Sequence, residues 1–389
     1  MEATKEKDKV EDSLSSENVK RQDLTPATAF APPRRLRNAL RTMWRQGLPR
    51  LRRKSLPHKT KRADTVVALF ATLLLLTVAC LGTDEQAGER HVVFEEVGQY
   101  TDGGMAVALL VVDDLLYLCE FDRGVVILDV SDPESIVEIG RLPNTAQARG
   151  IAIVDDIAYV CCNVNGLKLF DVYDPSAPTR LGSYGDRNGD PHQFVPVGDL
   201  GYLTEWHGGL DVIDLSDPTA PRRLGEYRSG GHAFSVEIVD NLAYVTMYSG
   251  GLAIVDVSDP EHPTRVGQLS NGGKTNALQV VGTTAYVCDK EQGLEIVDVS
   301  DPASPALLGT FEAADGTVGV RVVGDVAFVI HWERGLLAID VNDPANPVEI
   351  GSAFDGGRPN GLRVEGNTIY VADGTDGLEI LRFHLEEGG

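Results

Sequence analysis

The chain has 389 residues, 42% of them hydrophobic, and a formal net charge of −23. The charge is divided unevenly: residues 1–80 hold 17 Lys and Arg against 8 Asp and Glu, whereas residues 81–389 hold 18 against 50 and carry −32. A body that acidic repels phosphate backbones, which argues against a nucleic-acid partner.

The first 90 residues have the pattern of a leader rather than of a domain. Residues 1–62 are polar and rich in Pro and Arg, so we expect no stable fold there. Residues 63–81 contain the unbroken apolar run Val66–Leu81, which as a helix would span about 24 Å, short of the roughly 30 Å core of a bilayer. A basic flank before a short apolar run predicts a secretory signal, and residues 82–90 then form a polar tether.

The end of the apolar run resembles a lipoprotein processing site. The sequence TVAC that ends at Cys80 resembles the lipobox of bacterial lipoproteins, which implies cleavage before Cys80 and lipid attachment to it. Translation from Met43 would leave a signal of more ordinary length, so residues 1–42 are either a misplaced start or a cytoplasmic extension. An uncleaved signal anchor and free secretion are the alternatives, and all three place residues 91–389 outside the cytoplasm.

After residue 90 one phrase recurs seven times. Its clearest copy, GLAIVDVSDP, begins at Gly251, and the most divergent copy is the last, GLEILRFHLE. The opening glycines are 42, 43, 42, 42, 42 and 42 residues apart: Gly124, Gly166, Gly209, Gly251, Gly293, Gly335 and Gly377. A period this regular predicts a tandem array of one supersecondary unit, so the length does not give a number of domains.

Each unit predicts four short strands. In the fourth unit, Ala233–Val239 and Leu242–Thr246 flank a tight turn, and Gly251–Val257 and Thr264–Leu269 flank a corner that begins at Ser258. The corner has the sequence SDP, in which Asp bonds to backbone amides and Pro fixes φ. Four antiparallel strands in about 40–45 residues are the blade of a β-propeller, whereas β-helix rungs are shorter and a helical solenoid needs a 3.6-residue period.

The two ends of the repeat array complement each other. The fourth strand of each unit carries a glycine, as in VGQL at Gly267, and one copy of this strand precedes the first complete unit, while the last unit lacks it. We therefore predict an all-β, seven-bladed propeller over residues 91–389, closed by Val92–Tyr100 pairing beside Gly377–Phe383. Closure removes the open sheet edge on which aggregation starts.

The repeated phrases GLAIVDVSDP and GLEIVDVSDP resemble the LVIVD-repeat family of bacterial and archaeal cell-surface proteins. The resemblance covers about residues 92–389. It implies a propeller displayed at the cell surface, and it implies no catalytic residue.

One face of the propeller is expected to carry the recognition residues. This face carries the connections between strands two and three and those between blades. The sequences of these connections vary from repeat to repeat, whereas those of the strands are similar in every repeat. Variation in a fixed frame is where repeat proteins keep their recognition residues. The residues expected to form a ligand or partner surface are Trp206, His207, Tyr248, Lys274, His331, Trp332, Glu333 and Arg358. The alternative is a scatter of loop residues with no common role.

Three histidines on the same face suggest a metal. His192 and His207 belong to the third blade, His232 leads into the fourth, and Asp190 or Glu205 offers a carboxylate. Zinc and similar metals accept His with a carboxylate. No cofactor is expected except a divalent metal at this set of residues, and the plainer interpretation is that the histidines have no joint role.

The first strand of each blade is expected to line the central channel. One position of it holds Glu237 in the fourth blade and Arg321 and Arg363 in the sixth and seventh. Charges there must be solvated or paired. We expect either water with an ion pair between Glu237 and an arginine, or an anionic ligand held by the two arginines.

The cysteines of the body are not expected to form disulfides. Cys119, Cys161 and Cys288 occupy one column, so copies in neighbouring blades lie about 10 Å apart, beyond the roughly 7 Å limit for the Cα atoms of a bridge. We expect small buried thiols instead.

These features favour a monomeric binding or scaffolding module outside the cytoplasm over an enzyme. Its membrane contact would be a lipid anchor or a signal anchor, and its partner an envelope or surface protein or a small ligand. The alternative is a metal-dependent hydrolase or lyase at the channel mouth. A subunit of a larger envelope assembly is a third possibility. The sequence has no nucleophile elbow, phosphate-binding loop or HExxH motif.

Overall fold

The computed structural model describes residues 90–185, 189–228, 231–270, 272–313, 315–353 and 356–387. The predictions for residues 1–89, including the apolar run and Cys80, lie outside this part of the chain. The described residues form seven four-stranded antiparallel sheets arranged in a ring, which confirms the seven-bladed propeller. No helix in these ranges is long and apolar enough to cross a membrane.

The strands follow the chain from the inside of each blade outward. Strand β1 is His91–Tyr100, and the first blade consists of β2 (Ala106–Val112), β3 (Leu115–Glu120), β4 (Gly124–Asp129) and β5 (Val137–Leu142). Blades two and three consist of β6 (Gly150–Val154), β7 (Ile157–Cys161), β8 (Leu167–Asp171), β9 (Thr179–Tyr184), β10 (Pro191–Val197), β11 (Leu200–Glu205), β12 (Gly209–Asp214) and β13 (Arg222–Tyr227). A 3-10 turn, Asn163–Asn165, precedes β8.

Blades four to six continue the same order. They consist of β14 (Ala233–Val239), β15 (Leu242–Met247), β16 (Gly251–Asp256), β17 (Thr264–Leu269), β18 (Thr275–Val281), β19 (Thr284–Asp289), β20 (Gly293–Asp298), β21 (Ala306–Glu312), β22 (Thr317–Val323), β23 (Val326–His331), β24 (Gly335–Asp340) and β25 (Val348–Ala353). Blade seven combines β26 (Gly361–Glu365), β27 (Thr368–Asp373) and β28 (Gly377–Glu386) with β1. The predicted strands of the fourth unit match within one residue at each end.

The hydrophobic core lies between blades. The second and third strands of a blade are buried on both faces, as in β15 and β16, because a neighbouring sheet packs against each side. Core clusters accordingly join residues of adjacent blades, such as Met247 of blade four with Leu210 of blade three. Sheets packed in this way explain why these strands are mainly apolar on both faces, with isolated buried polar residues such as Thr246 and Asp211.

Glycine recurs at two positions of each repeat, and the physical reason for it differs between them. Gly251, which opens the third strand, has a φ of 75°, and its six counterparts also have positive φ, a conformation that costs little only for glycine. Gly267 of the fourth strand has no such φ, but a Cβ there would collide with the carbonyl oxygen of Pro302 at the corner of the next blade. The same approach recurs around the ring, so this second glycine sets how closely the blades pack.

The corners form as their sequence predicts. Asp259 accepts a hydrogen bond from the Glu261 amide at 3.1 Å, and Asp256 accepts one from the Ser258 amide at 2.9 Å. Each of the other five corners begins with the same Asp contact to the amide two residues later. Local backbone bonding therefore accounts for the repeated aspartates.

The N-terminal strand closes the ring. β1 pairs antiparallel with β28 from His91 opposite Glu386 to Tyr100 opposite Leu378, three residues further along β28 than predicted. At the fourth-strand glycine of blade six, Gly351, the carbonyl oxygen that a Cβ would meet is that of Val92 in β1 instead of that of a corner proline. Arg90 binds Asp325 and Asp340 of blade six at 2.7 and 2.6 Å, on the face that carries the corners.

The cysteine prediction is confirmed for the four cysteines in the described residues, which are all free and buried. Burial raises the pKa of the Cys162 thiol to about 11 and those of Cys119, Cys161 and Cys288 further. These thiols are therefore inert packing groups rather than nucleophiles.

Candidate functional site

Aromatic side chains from the third and fourth blades meet at one mouth of the channel, the face opposite the corners. The ring centroid of Trp206 lies 5.0 Å from that of Phe234 and 5.6 Å from that of Tyr248, and Phe234 lies 4.5 Å from His192. We call these four rings together with His232 the mouth cluster. Trp206 directly follows the second strand of blade three, whereas Phe234 lies on the inner strand of blade four, so the cluster spans two blades.

His232 is part of this cluster through its ring face. It stacks on Trp206 with ring centroids 4.1 Å apart and an interplanar angle of 13°, and its Nδ1 donates to the Trp206 carbonyl. The loop into blade four is thereby fixed on the connection of blade three. Both rings are half-buried, which leaves part of the stack open to a ligand.

Cations cover the aromatic faces. The Lys290 ammonium of blade five lies 4.5 Å from the ring centroid of Trp332 in blade six and 5.8 and 5.9 Å from those of Phe234 and Tyr248. Burial, with a smaller contribution from the charge of Lys274, lowers the pKa of Lys290. Lys274 also lies over Tyr248, at 5.9 Å, but it forms an ion pair with Glu291.

A cavity adjoins the cationic side of this surface. It has a volume of 350 Å³ and is lined by Met105, Trp332, Arg358, Asn360, Gly374 and Thr375 of blades one, six and seven. The Arg358 guanidinium lies 5.9 Å from the ring centroid of Trp332, the same ring that Lys290 contacts. Two cations contributed by different blades thus lie over one tryptophan ring.

His207 faces a second cavity, between blades two and three. This cavity has a volume of 590 Å³ and includes Tyr184, Asp211 and Arg223 among its lining residues. The Tyr184 hydroxyl donates to the buried Asp211 carboxylate at 2.6 Å, and Arg223 lies 3.6 Å from it. Burial raises the pKa of Asp211 in spite of these partners.

The proposed metal ligands do not assemble. Among the described residues, no three His, Cys, Asp or Glu side chains are placed to hold a metal ion. Asp190 is directed toward Arg149, 3.7 Å away, and His232 and His192 are occupied with ring contacts. Burial and the neighbouring charges of Arg149 and Lys290 lower the pKa of His192 to about 3, so this imidazole is neutral at physiological pH.

His331 lies inside the blade rather than on the surface predicted for it. Only 3% of it is exposed, it lies beneath Gly316, and its Nδ1 accepts a hydrogen bond from the Glu333 amide at 3.1 Å. The equivalent positions of the other blades include Glu120, Met247 and Asp289, which are also buried. This column is therefore part of the blade, whereas Glu333, two residues later, is exposed.

The channel charges do not pair as expected. Glu237 accepts a hydrogen bond from the Val280 amide of the next blade at 2.6 Å, and burial raises its pKa although the charge of Arg321 opposes this. Arg363 donates to Glu365 at 2.8 Å, and Arg321 donates to the Val320 carbonyl at 2.7 Å. Within the described residues, Glu237 thus joins two inner strands instead of neutralising an arginine.

Of the predicted surface residues, the structure brings Trp206, Tyr248 and Lys274 into or against the mouth cluster and Trp332 and Arg358 beside it. The prediction missed Phe234 and Lys290. The signal for Lys290 was its place in the varying connection DKEQ, and the signal for Phe234 was a phenyl ring at a position where no other blade has Phe, Tyr or Trp.

Solved structures support the fold at low sequence identity. Virginiamycin B lyase from Staphylococcus aureus is 12% identical with a TM-score of 0.62, covering 75% of this chain and 99% of that one. The Pan2 WD40 domain of Neurospora crassa is 12% identical with a TM-score of 0.59 over 74% and 95%. The computationally designed Ika8 protein is 8% identical with a TM-score of 0.57 over 75% and 100%. Identities this low establish a shared propeller fold and nothing about activity.

No curated protein is similar to the chain in sequence. The family model for the LVIVD repeat matches it seven times, at residues 103–143, 146–186, 197–229, 230–270, 272–313, 316–355 and 356–381. Five of the seven matches begin at or just before the inner strand of a blade and end at or just after its outer strand, so the sequence repeat and the structural blade coincide there. The third match begins at Val197, the end of β10, and the seventh ends at Leu381, within β28. The chain therefore belongs to the LVIVD repeat family.

Proposed function

We propose that the chain is a non-enzymatic binding module, and that its ligand-binding surface is the channel mouth over blades three to seven. The observation that carries this proposal is the convergence of Trp206, Phe234, Tyr248 and Trp332 with the cations Lys290 and Arg358, from five successive blades. Tryptophan, tyrosine and arginine are enriched among the residues that contribute most to binding, and ligand pockets are lined mainly by apolar and aromatic side chains with a few polar or charged groups. Loops of a rigid ring hold them without the entropy that a mobile surface would lose.

The surface is proposed to act outside the cytoplasm. The signal-like apolar run and the lipobox-like sequence at Cys80 support a membrane-anchored lipoprotein of the cell surface or envelope, with an envelope protein or a small ligand as partner. Arg90 lies on the corner face, opposite the mouth. A tether that reaches the propeller there would leave the mouth free to meet a partner.

The test of binding uses the tryptophans as reporters. Two of the three tryptophans of the chain, Trp206 and Trp332, lie in the proposed surface, so we expect ligands found in a compound screen to change the fluorescence of the full chain. Because the Trp206→Ala, Trp332→Ala double variant lacks both reporters, binding of the hits is compared by ligand-observed NMR: it should be lost in the double variant and kept in Tyr173→Ala, which is 82% exposed on a corner. Hits that bind the double variant as well as the wild type would contradict the proposal.

A second measurement separates this proposal from a metal-dependent hydrolase or lyase. We expect purified protein to keep its melting temperature in chelator. Stoichiometric metal that is lost in His232→Ala would favour the enzyme instead.

The anchor is tested separately by mass spectrometry of the mature N-terminus. A diacylated Cys80 is the expected result. An N-terminus upstream of residue 63 would show an uncleaved anchor, and an unmodified N-terminus beyond Cys80 would show free secretion.

A further inference from the structure

The cavity beside Trp332 has an apolar wall and a cationic rim. Met105 and the Trp332 ring supply the wall, and the exposed Arg358 also lines the cavity, with its guanidinium 5.9 Å from the ring centroid. Lys290 lies against the same ring at 4.5 Å. Among the described residues, neither cation forms an ion pair with a carboxylate, in contrast to Lys274, which binds Glu291, and Arg149, which binds Asp190.

Two uncompensated cations are unusual in so acidic a body. Residues 81–389 carry a net charge of −32, and most of the arginines at this face are paired. Lys290 is half-buried, and desolvating an ammonium without a counter-ion is costly. An anion beside Trp332 would relieve that cost, while cation–π contacts alone compensate for it only in part.

The size and charge of the cavity limit which class of anion it can bind. A volume of 350 Å³ is at the lower end of ligand cavities and accommodates a small molecule rather than a polymer. A guanidinium binds a carboxylate through two parallel hydrogen bonds. The acidic body repels polyanions over a Debye length, which disfavours a phosphate with two charges more than a carboxylate with one.

We propose that the cavity at Trp332 binds a small organic monocarboxylate, with the carboxylate on Arg358, the apolar part against Met105 and Trp332, and Lys290, which also lies over the Trp332 ring, adding positive potential. This inference rests on the proposed function and deepens it by naming the ligand class. It differs from the anion site that the sequence suggested, because Arg321 and Arg363 lie on inner strands and not at this cavity.

The test compares three probes of one shape and different charge on the full chain. Benzoate, benzamide and benzylamine present the same ring with a negative, neutral and positive group, and tryptophan fluorescence with ligand-observed NMR measures their binding. We expect benzoate to bind in the millimolar range or tighter and at least about tenfold better than benzamide, with benzylamine weakest. Inorganic phosphate should fail to displace benzoate.

Variants then locate the site. Arg358→Gln should weaken benzoate binding about tenfold and remove its preference over benzamide, and Lys290→Gln should weaken it several-fold. The matched control is Arg149→Gln, because Arg149 also lies over an aromatic ring, that of Phe121 at 5.3 Å, but has a carboxylate partner. Its benzoate affinity should stay within about twofold of the wild type.

Three outcomes overturn the inference. They are an absence of benzoate binding at high millimolar concentration, equal binding of the three probes, and benzoate binding that Arg358→Gln leaves unchanged. None of these outcomes contradicts the proposed function, which fails only if ligands or partners bind the Trp206→Ala, Trp332→Ala variant as well as the wild type.

Discussion

Glu120 is a buried carboxyl group with an acidic neighbour. It is 1% exposed at the end of β3, beneath Gly104, and burial together with Asp102 raises its pKa to about 7. Arg141 binds both carboxylates and opposes this rise, at 3.1 Å from Glu120. Since Asp102 also accepts the Gly104 amide at 2.9 Å, the group that takes up the proton is Glu120.

Glu120→Gln should change the pH dependence of stability. A folded-state pKa above the ordinary value near 4.5 means that Glu120 contributes stability in full below pH 4.5 and loses it as the pH rises through 7. Glutamine is neutral throughout, so the variant should gain roughly 1–3 kcal/mol relative to the wild type between pH 5 and pH 8. Urea unfolding at both pH values measures this difference, and Glu134→Gln at an exposed corner should follow the wild type.

Gly267→Ala tests the contact between blades. A methyl group at this position collides with the Pro302 carbonyl, which is backbone and cannot move aside. We expect a loss of about 2–4 kcal/mol in the free energy of unfolding, the range of severe overpacking.

The control for this change is Gly282→Asp in the next blade. Gly282 has a φ of 59° with nothing within 4 Å of an added Cβ, and Asp113, Asp155 and Asp240 hold the same turn position with φ near 50°. The aspartate should therefore be tolerated. Equal melting temperatures for the two variants would contradict the packing explanation.

Phe234 and Lys290 show the limit of prediction at this scale. The repeat identifies which columns face the mouth, because every unit has the same strand spacing. It does not give the distance between side chains of different blades, which depends on loop conformation and rotamers. Trp206 and Tyr248 could be predicted because they are aromatic residues in the variable connection between strands two and three. Phe234 instead lies within a strand, where an apolar residue is expected to belong to the core.

At the scale of elements, β1 determines whether blade seven is complete. Phe94 lies opposite Phe383 on β28, and both rings contact Phe328 of blade six, at centroid distances of 6.3 and 4.6 Å. Val92 belongs to the same core cluster. Closure thus combines a hydrogen-bonded ladder with a hydrophobic contact to the neighbouring blade.

Phe94→Ala should loosen the closing strand before the rest of the ring. Loss of a half-buried phenyl ring from this contact should cost about 2 kcal/mol. Hydrogen exchange of the full chain should become faster in β1 and β28, while blades three to five keep their protection. A uniform acceleration over all blades would instead show that the ring opens as a single unit, and Tyr173→Ala serves as the exposed aromatic control.

The whole molecule repeats one unit, which is why its architecture was predictable. A period of 42 residues, four strand signals in each period and complementary ends together leave a closed ring of seven blades as the consistent solution. The extra length of the β1–β28 ladder was not predictable, because the last repeat diverges from the others where the ladder extends. The sequence shows which loop residues are charged, but it does not show which of them form ion pairs with each other.

The acidity of the body predicts a response to salt. A net charge of −32 over residues 81–389 repels itself in the compact state, and added salt screens that repulsion. The melting temperature should rise by several degrees between about 0.02 and 0.5 M NaCl. A melting temperature independent of salt would show that the acidic groups are far enough apart to be screened by water alone.

The ring is closed by the strand that comes first among the described residues, and β1 runs from the corner face at Arg90 toward the mouth at Tyr100. Tension between an N-terminal attachment and a partner held at the mouth would therefore act along the axis of β1. In that direction the hydrogen bonds of the β1–β28 ladder share the load in shear, instead of parting one after another as they would if pulled sideways. The same closure that hides a sheet edge thus makes the propeller mechanically suited to bearing force from its N-terminus.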